Sequence, residues 1–410
     1  MFEKIKKDVL IRGSLVMFVM LGIFNVLNYV FQMSMARMLG PADYGILAVL
    51  MSLLYIFGIP NEAIQTIITR YASKFEMKKD FGKTKYLLYK SLKKGLIFSA
   101  VIFCIFLIIS VYLSGLLHIN FWLLAMTGLF IFYVFTLPVI RGVLQGRKKF
   151  FSLGLNSVLE ALAKVVFSIF LVLFGLKVYG AMGGVVVGGI LAAVLAVMSI
   201  KEVIKSKMEK INFEGVYRYN LPVLIGVSAI VLIYSIDVIM ARIFFTPEIA
   251  GKYAFVSLIG KVVLFSSFAI SKAMFPLTSE NFERGIKTSG LLKKSLILVS
   301  AVALIMLAVC FFIPEKVISV ISLGSSQYLD ASGILFIVCL AFSVTAFTNV
   351  IVLYSLSINK IRKSSVFLLF FVLAEAILLG IFNSNLYEFS VSILIVNLGM
   401  FFYSLWLIKK

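Results

Sequence analysis

The chain has little of what soluble enzymes use. Its 410 residues include one histidine, His118, and three cysteines, Cys104, Cys310 and Cys339. A lone loop histidine reads as solvated and cannot supply a triad or a metal cluster. Each cysteine lies inside an apolar run, which points to packing and away from a disulfide framework or a metal site. Acidic residues are scarce, 18 against 39 lysines and arginines. No glycine-rich loop is followed by Lys-Ser/Thr, and the run GGVVVGG at Gly183–Gly189 sits within an apolar segment. Long polar stretches are missing too. The longest loop on one side is Pro314–Leu329 and on the other Tyr71–Leu92. Neither leaves room for a soluble catalytic or nucleic-acid-binding domain, so neither an enzyme nor a nucleic-acid partner is expected, and no cofactor. No cleavage site of small residues follows the first apolar run, so that run is expected to stay as a helix.

Apolar residues, by contrast, make up 62% of the chain, and mean hydropathy is +1.09. Soluble domains carry roughly 45–50% apolar residues. Apolar runs recur along the whole length, each long enough to cross a hydrocarbon core of about 30 Å. A transmembrane β-barrel would instead show alternating segments of about 10 residues. The expected class is an all-α polytopic membrane protein. Twelve spanning segments are read at 12–38, 44–69, 93–114, 119–145, 150–174, 178–200, 217–243, 249–280, 290–313, 330–357, 361–382 and 386–408. The charged stretch Lys201–Val216 separates two sets of six. The expected domains are a six-helix lobe at 1–200, a linker at 201–216 and a second six-helix lobe at 217–410.

The two sets are related in sequence. Met35-Ala36-Arg37 matches Met240-Ala241-Arg242. After one extra residue in the second copy, Pro41 matches Pro247, Gly45 matches Gly251 and Ala48 matches Ala254. Lys93-Lys94 and Lys293-Lys294 open corresponding segments, and Arg147–Lys149 answers Lys360–Lys363. Matches in the same order indicate an internal repeat. Six is even, so the repeat is parallel, about an axis along the membrane normal.

Lysine and arginine counts in short loops set orientation. The termini and the even-to-odd loops carry 31 of the basic residues and the opposite loops five. Both termini are therefore expected in the cytoplasm, and much of the net charge of +21 serves topology and attraction to anionic lipid headgroups. Gly180, Gly184 and Gly188 are four apart in segment 6, a face suited to close helix approach. Pro60 and Pro138 are expected to interrupt segments 2 and 4.

Ionisable residues inside a membrane are costly and mark cavities or ion paths. Here they are Glu62, Glu160, Lys164, Asp237, Lys261, Lys272 and Glu375. Glu160 and Lys164, four apart with the glutamate first, can form an intrahelical pair. Asp237 can pair with Arg242 near the end of its segment. Lys261 and Lys272 are 11 residues apart, three helical turns plus about 20°, and so share one face of segment 8. A lysine stripe is disfavoured against lipid and is expected to face a cavity between the lobes. Lys261, Lys272, Lys164 and Arg70 are the candidate substrate-binding residues, and Glu62 and Asp237 the candidate ion-coupling residues.

The stretch ARMLGPADYGILAVLMS from Ala36 resembles the first-loop signature of the polysaccharide-exporter (oligosaccharide flippase) family, within the multidrug/oligosaccharidyl-lipid/polysaccharide superfamily. Ile59–Ser73 resembles that family's second helix, ending near Arg70. Leu144–Phe150 resembles its fourth inner turn. Asp237 with the following MAR and Ala250–Leu258 resembles its seventh-to-eighth helix signature. The resemblance implies a two-lobed transporter that moves a polyprenyl-linked oligosaccharide from the cytoplasmic to the outer leaflet by alternating access. The implied partners are a polyprenyl phosphate or diphosphate carrier, membrane lipids, and H+ or Na+ as coupling ion, in a plasma membrane. The related lipid II flippases carry cavity arginines in the first helix, whereas segment 1 here has Asn25, Asn28 and Gln32. Three other functions are weighed. A multidrug and toxin extrusion exporter would be expected to use an acidic cavity. A membrane polymerase or ligase would need a long polar outer loop. A scaffold would leave the deep charges without a purpose.

Overall fold

The computed structural model describes residues 2–210, 221–358 and 366–409, and among them there are helices and no strands. Among the described residues, nine apolar helical stretches are long enough to cross a bilayer. Two of these, Val16–Met77 and Phe150–Ser199, each hold two crossings, and the shorter apolar helix Val366–Ile381 adds one more. Twelve spans in two sets of six result, an all-α polytopic architecture. Residues 211–216 of the linker and the cluster Lys360–Lys363 lie outside the described residues.

The chain forms two compact units, and the division is not a single cut. One unit is Met1–Leu39 with Phe57–Tyr219, and the other is Gly40–Ile56 with Asn220–Lys410. The switch falls inside α1 (Phe2–Phe57), which turns at Gly40 with φ 71° and ψ 172°. That conformation favours glycine, and Pro41 disfavours the helical region for the residue before it. The repeated motif read from sequence is therefore where the chain leaves the first unit.

In the first unit a turn through Gly58–Pro60 separates α1 from α2 (Asn61–Met77). Then follow α3 (Phe81–Leu117), α4 (Phe121–Gly128), α5 (Phe130–Gly146), α6 (Phe150–Leu171), α7 (Lys177–Ser199) and the short α8 (Lys201–Lys205). Helix α5 runs through Pro138, and the break in segment 4 lies earlier, at Leu129. One lost backbone bond is tolerated where neighbouring helices surround it. Helix α2 packs on α5, and α6 packs on α7. The glycine stripe of α7 forms the second contact. A Cβ on Gly188 would lie 2.9 Å from the Glu160 carbonyl oxygen, so only glycine permits this approach. Arg147, after α5, bonds Glu76 at 2.9 Å and Glu202 at 2.6 Å and lies over the Phe81 ring. It thereby ties the ends of α2 and α5 to α3 and α8.

The second unit joins the second half of α1 to α9 (Leu221–Phe244), α10 (Pro247–Glu283), α11 (Ser289–Phe312), α12 (Pro314–Ile321), α13 (Ser332–Ser357), α14 (Val366–Ile381) and α15 (Leu386–Lys409). Helix α13 is its most buried span and packs on α10, α11 and α15. The two copies of the repeated motif meet here. A Cβ on Gly45 would lie 3.0 Å from Gly251 Cα, so the matched glycines are the point of closest approach. Tyr44, Phe255 and Tyr328 pack edge to face and tilted beside them.

The outward face of α3 is apolar, with Leu96, Ile97, Phe98, Val101, Ile105 and Ile108 all exposed. In water this face would be unstable, and against hydrocarbon it needs no partner.

Candidate functional site

Among the described residues, each unit holds a cluster of charged side chains within its spans. In the first, α5 presents Tyr133 and Arg141, and α6 presents Asn156, Glu160 and Lys164. The Tyr133 hydroxyl donates to Glu160 Oε1 at 2.5 Å, and Arg141 Nη2 donates to Glu160 Oε2 at 2.6 Å. Arg141 Nε donates to Asn156 Oδ1 at 2.9 Å, and Asn156 Nδ2 donates to the Ala192 carbonyl of α7 at 2.7 Å. Both carboxylate oxygens of Glu160 are thus taken by α5. The intrahelical Glu160–Lys164 pair expected from spacing does not form, because a guanidinium on the facing helix competes with better geometry. Lys164 is 9% exposed. Its ammonium donates to Asn28 Oδ1 of α1 and lies 4.5 Å from the centre of the Phe31 ring. An amide dipole and an aromatic face solvate that cation without cancelling its charge.

In the second unit, α10 presents Tyr253, Ser257 and Lys261 at intervals of four, one face of the helix. All three donate to Asp237 of α9, which has no exposed surface. Tyr253 reaches Oδ2 at 3.0 Å, Ser257 reaches Oδ2 at 2.6 Å and Lys261 Nζ reaches Oδ1 at 3.0 Å. The Lys261 ammonium also lies 5.0 Å from the centre of the Phe342 ring of α13. Asp237 therefore pairs with Lys261 and not with Arg242, whose charged neighbour is Asp43. Glu375 of α14 is also fully buried, and neither of its oxygens has a hydrogen-bond partner. Its charged neighbours are Asp237 and Lys261.

Lys261 and Lys272 do not act as one stripe. Lys261 is 6% exposed, whereas Lys272 lies on the exposed side of α10. Helical arithmetic gives a direction, but burial depends on which helices pack at that level. Arg70 and Glu62 are exposed as well, on α2. With Thr66 and Lys74 they form a polar line at intervals of four on the exposed face of α2. Charged side chains are disfavoured against lipid, so α2 is unsuited to lie against lipid along this line. Extending the register in which Pro41 answers Pro247 pairs Thr66 with Lys272, so both halves expose polar side chains at equivalent positions.

Sequence alone places Arg141 in an inner loop, assigns nothing to Tyr133, Tyr253 or Ser257, and marks Asn28 only as a polar residue of segment 1 and Glu375 only as an intramembrane charge. The interval Tyr253-Ser257-Lys261 was a usable signal, three polar side chains on one face of an apolar helix. Nothing local in sequence marks Arg141 as a partner of Glu160. Among the described residues there is no group of three histidine, cysteine or carboxylate side chains able to hold a metal ion.

A family profile described as "polysaccharide biosynthesis protein" matches residues 10–282. An uncharacterized membrane protein of Methanocaldococcus jannaschii is 26% identical over 291 residues, 66% of this chain and 67% of that one. Among solved structures, the inward-facing conformation of a multidrug resistance MATE family transporter of the MOP superfamily superposes with a TM-score of 0.78. It shares 14% identity and covers 96% of this chain and 97% of its own. A MOP superfamily transporter from Pyrococcus furiosus, described as having a binding pocket of reversed polarity that suggests a different function, superposes with a TM-score of 0.66. It shares 16% identity over 98% of this chain and 95% of its own. At these identities the structures show a shared fold.

Proposed function

The chain belongs to the polysaccharide biosynthesis protein family and has the fold of MOP superfamily transporters, not of enzymes, and from that premise we propose that it is a flippase for an anionic lipid-linked oligosaccharide. In this reading the lobes at 1–200 and 217–410, joined by 201–216 and with Gly40–Ile56 packed into the second, alternate their access across a plasma membrane. Both termini are cytoplasmic, in keeping with the 31 basic residues on that side. The cargo is an oligosaccharide on a polyprenyl phosphate or diphosphate, carried from the cytoplasmic to the outer leaflet.

The observation that carries this reading is Lys164, a buried ammonium held by Asn28 and the Phe31 ring while Glu160 is committed to Arg141 and Tyr133. An unpaired buried charge costs several kcal/mol. A transporter that must strip water from a phosphate has a use for such a cation, because the phosphate is its missing counter-ion. Arg70 and Lys74 on the polar line of α2, and Lys272 on α10, supply further cations on exposed faces. Lys261 contributes less to anion binding, since Asp237 already matches its charge. Glu62 lies on the same line of α2 and is a candidate for H+ or Na+ coupling where cargo would pass.

The second reading is a multidrug and toxin extrusion exporter, favoured by the function printed for the superposed transporter. One assay separates the two. Protein reconstituted in vesicles is offered lipid-linked oligosaccharides on one side and an organic cation on the other, with and without ion gradients. The flippase reading expects transbilayer movement of the lipid-linked sugar, retained better by Lys164→Arg than by Lys164→Gln. Movement of the cation alone, or equal rates for the two variants, overturns it.

A further inference from the structure

Glu375 is not used by the reading above, and its surroundings are unusual. It is fully buried, in a span, and no donor reaches either oxygen. Asp237, the neighbouring carboxylate, takes all three donors that α10 offers. We propose that Glu375 is the proton-binding site of the second unit, and that the Lys261 ammonium occupies the place a metal ion would need, so that this unit binds H+ and excludes Na+.

Asp237 and Glu375 are fully buried on packed helices, α9 and α14, and two such anions repel unless a cation is near or one holds a proton. The cation here is covalently attached. Lys261 neutralises one carboxylate, and its Nζ is 3.0 Å from Asp237 Oδ1. With Asp237 and Lys261 ionised, an ionised Glu375 would leave the cluster with one net negative charge in a dry interior. A protonated Glu375 leaves it neutral. A metal ion would need a shell of oxygen ligands, and would add charge beside the ammonium. The groups that face Glu375 are Asp237 from α9 and Lys261 and Tyr253 from α10. Helix α15 also packs on α14 and carries the ionisable residues Tyr387, Glu388, Tyr403 and Lys409.

The cycle needs one step. The O–H bond of Glu375 breaks, the electron pair stays on the carboxylate, and the proton passes to water. The new anion then competes with Asp237 for Lys261. Asp237 can yield it, because Tyr253 and Ser257 still donate to it. The ammonium thus shifts between α9 and α14, and protonation is coupled to how α10 is held. That this drives transport rests on the flippase reading, whereas the occupancy of the site by a proton does not.

The test therefore reads the proton first. Infrared difference spectra of the purified protein in lipid nanodiscs, titrated in pH, are expected to show the C=O stretch of a buried carboxylic acid at neutral pH. The band should vanish in Glu375→Gln, move in Glu375→Asp and persist in Glu388→Gln, an exposed control. The aspartate variant keeps the experiment decisive if the glutamine variant does not fold. Sodium chloride in place of potassium chloride should leave the band and the melting temperature unchanged. Absence of the band, its survival in Glu375→Gln, or its loss on adding Na+ overturns the proposal. In vesicles, Glu375→Gln is expected to lose the pH dependence of transport. Failure of every lipid-linked sugar to move would refute the flippase reading and leave the spectroscopic result standing.

Discussion

Asp237→Ala is the substitution with the largest expected cost, and the structure indicates why. It removes the acceptor for three donors at once, Tyr253, Ser257 and Lys261. Breaking a buried ion pair by deleting one partner costs about 3–5 kcal/mol, because the other charge stays buried. Each hydroxyl left without a partner adds about 1–3 kcal/mol. Asp237→Asn keeps an acceptor oxygen for Ser257 or Tyr253 and loses the charge, so it should fall between the parent and Asp237→Ala. The double variant Asp237→Leu with Lys261→Met removes both charges. It should recover about 3–5 kcal/mol relative to Asp237→Ala, since apolar replacement of a buried pair is often neutral or better. Chemical denaturation in detergent, combined as a double-mutant cycle, measures the coupling. A coupling below about 0.5 kcal/mol, the usual scatter of independent sites, would refute the ion pair as drawn.

Two further substitutions test the frame around the sites. Gly251→Ala should destabilise by about 1–3 kcal/mol, as overpacking does, because a Cβ there would collide with the backbone of Pro41; an unchanged unfolding midpoint would refute the close contact between the repeated motifs. On α8, the Arg147 guanidinium and Lys149 hold the Glu202 carboxyl below the usual carboxylate range. A lowered folded-state value means the contact is present above the ordinary carboxylate range and is lost as pH falls through the lowered value. A spin label at Met208→Cys, just beyond α8, should stay immobile at neutral pH and become mobile in acid. In Glu202→Gln the acid transition should disappear.

Much of the fold was legible because a bilayer leaves few options. Backbone groups without water must bond within a helix, so hydropathy alone locates spans, and the charged stretch Lys201–Val216 divides them into six and six. The repeat was legible because glycine and proline sit where geometry demands them. Gly40-Pro41 is a forced turn, and Gly45 and Gly251 are a forced contact. That Gly40–Ile56 packs with the second unit was not legible, since sequence carries no mark of which bundle a helix half will join. The charged residues were found individually and paired poorly. Intervals of four on one helix suggested Glu160 with Lys164, and proximity in sequence suggested Asp237 with Arg242. The observed partners lie on facing helices, Arg141 for Glu160 and Lys261 for Asp237. Pairing across helices depends on rotation and depth, which hydropathy does not encode.

The two clusters differ in what they leave over. In the first unit Arg141 and Glu160 cancel, and the residue without a matching charge is a base, Lys164. In the second unit Asp237 and Lys261 cancel, and the residue without a partner is an acid, Glu375. Each surplus invites a different ligand. A buried base is relieved by an anion, and a buried acid is relieved by a proton. Under the proposed reading the first cluster thus takes the phosphate of the cargo and the second takes a proton, and neither could exchange roles without changing the sign of its unmatched residue. Lys164→Glu should therefore abolish binding of the anionic lipid even where the protein folds, whereas Lys164→Arg should preserve it. Retained binding of the lipid-linked sugar by Lys164→Glu, measured in nanodiscs, would break the link between charge surplus and cargo.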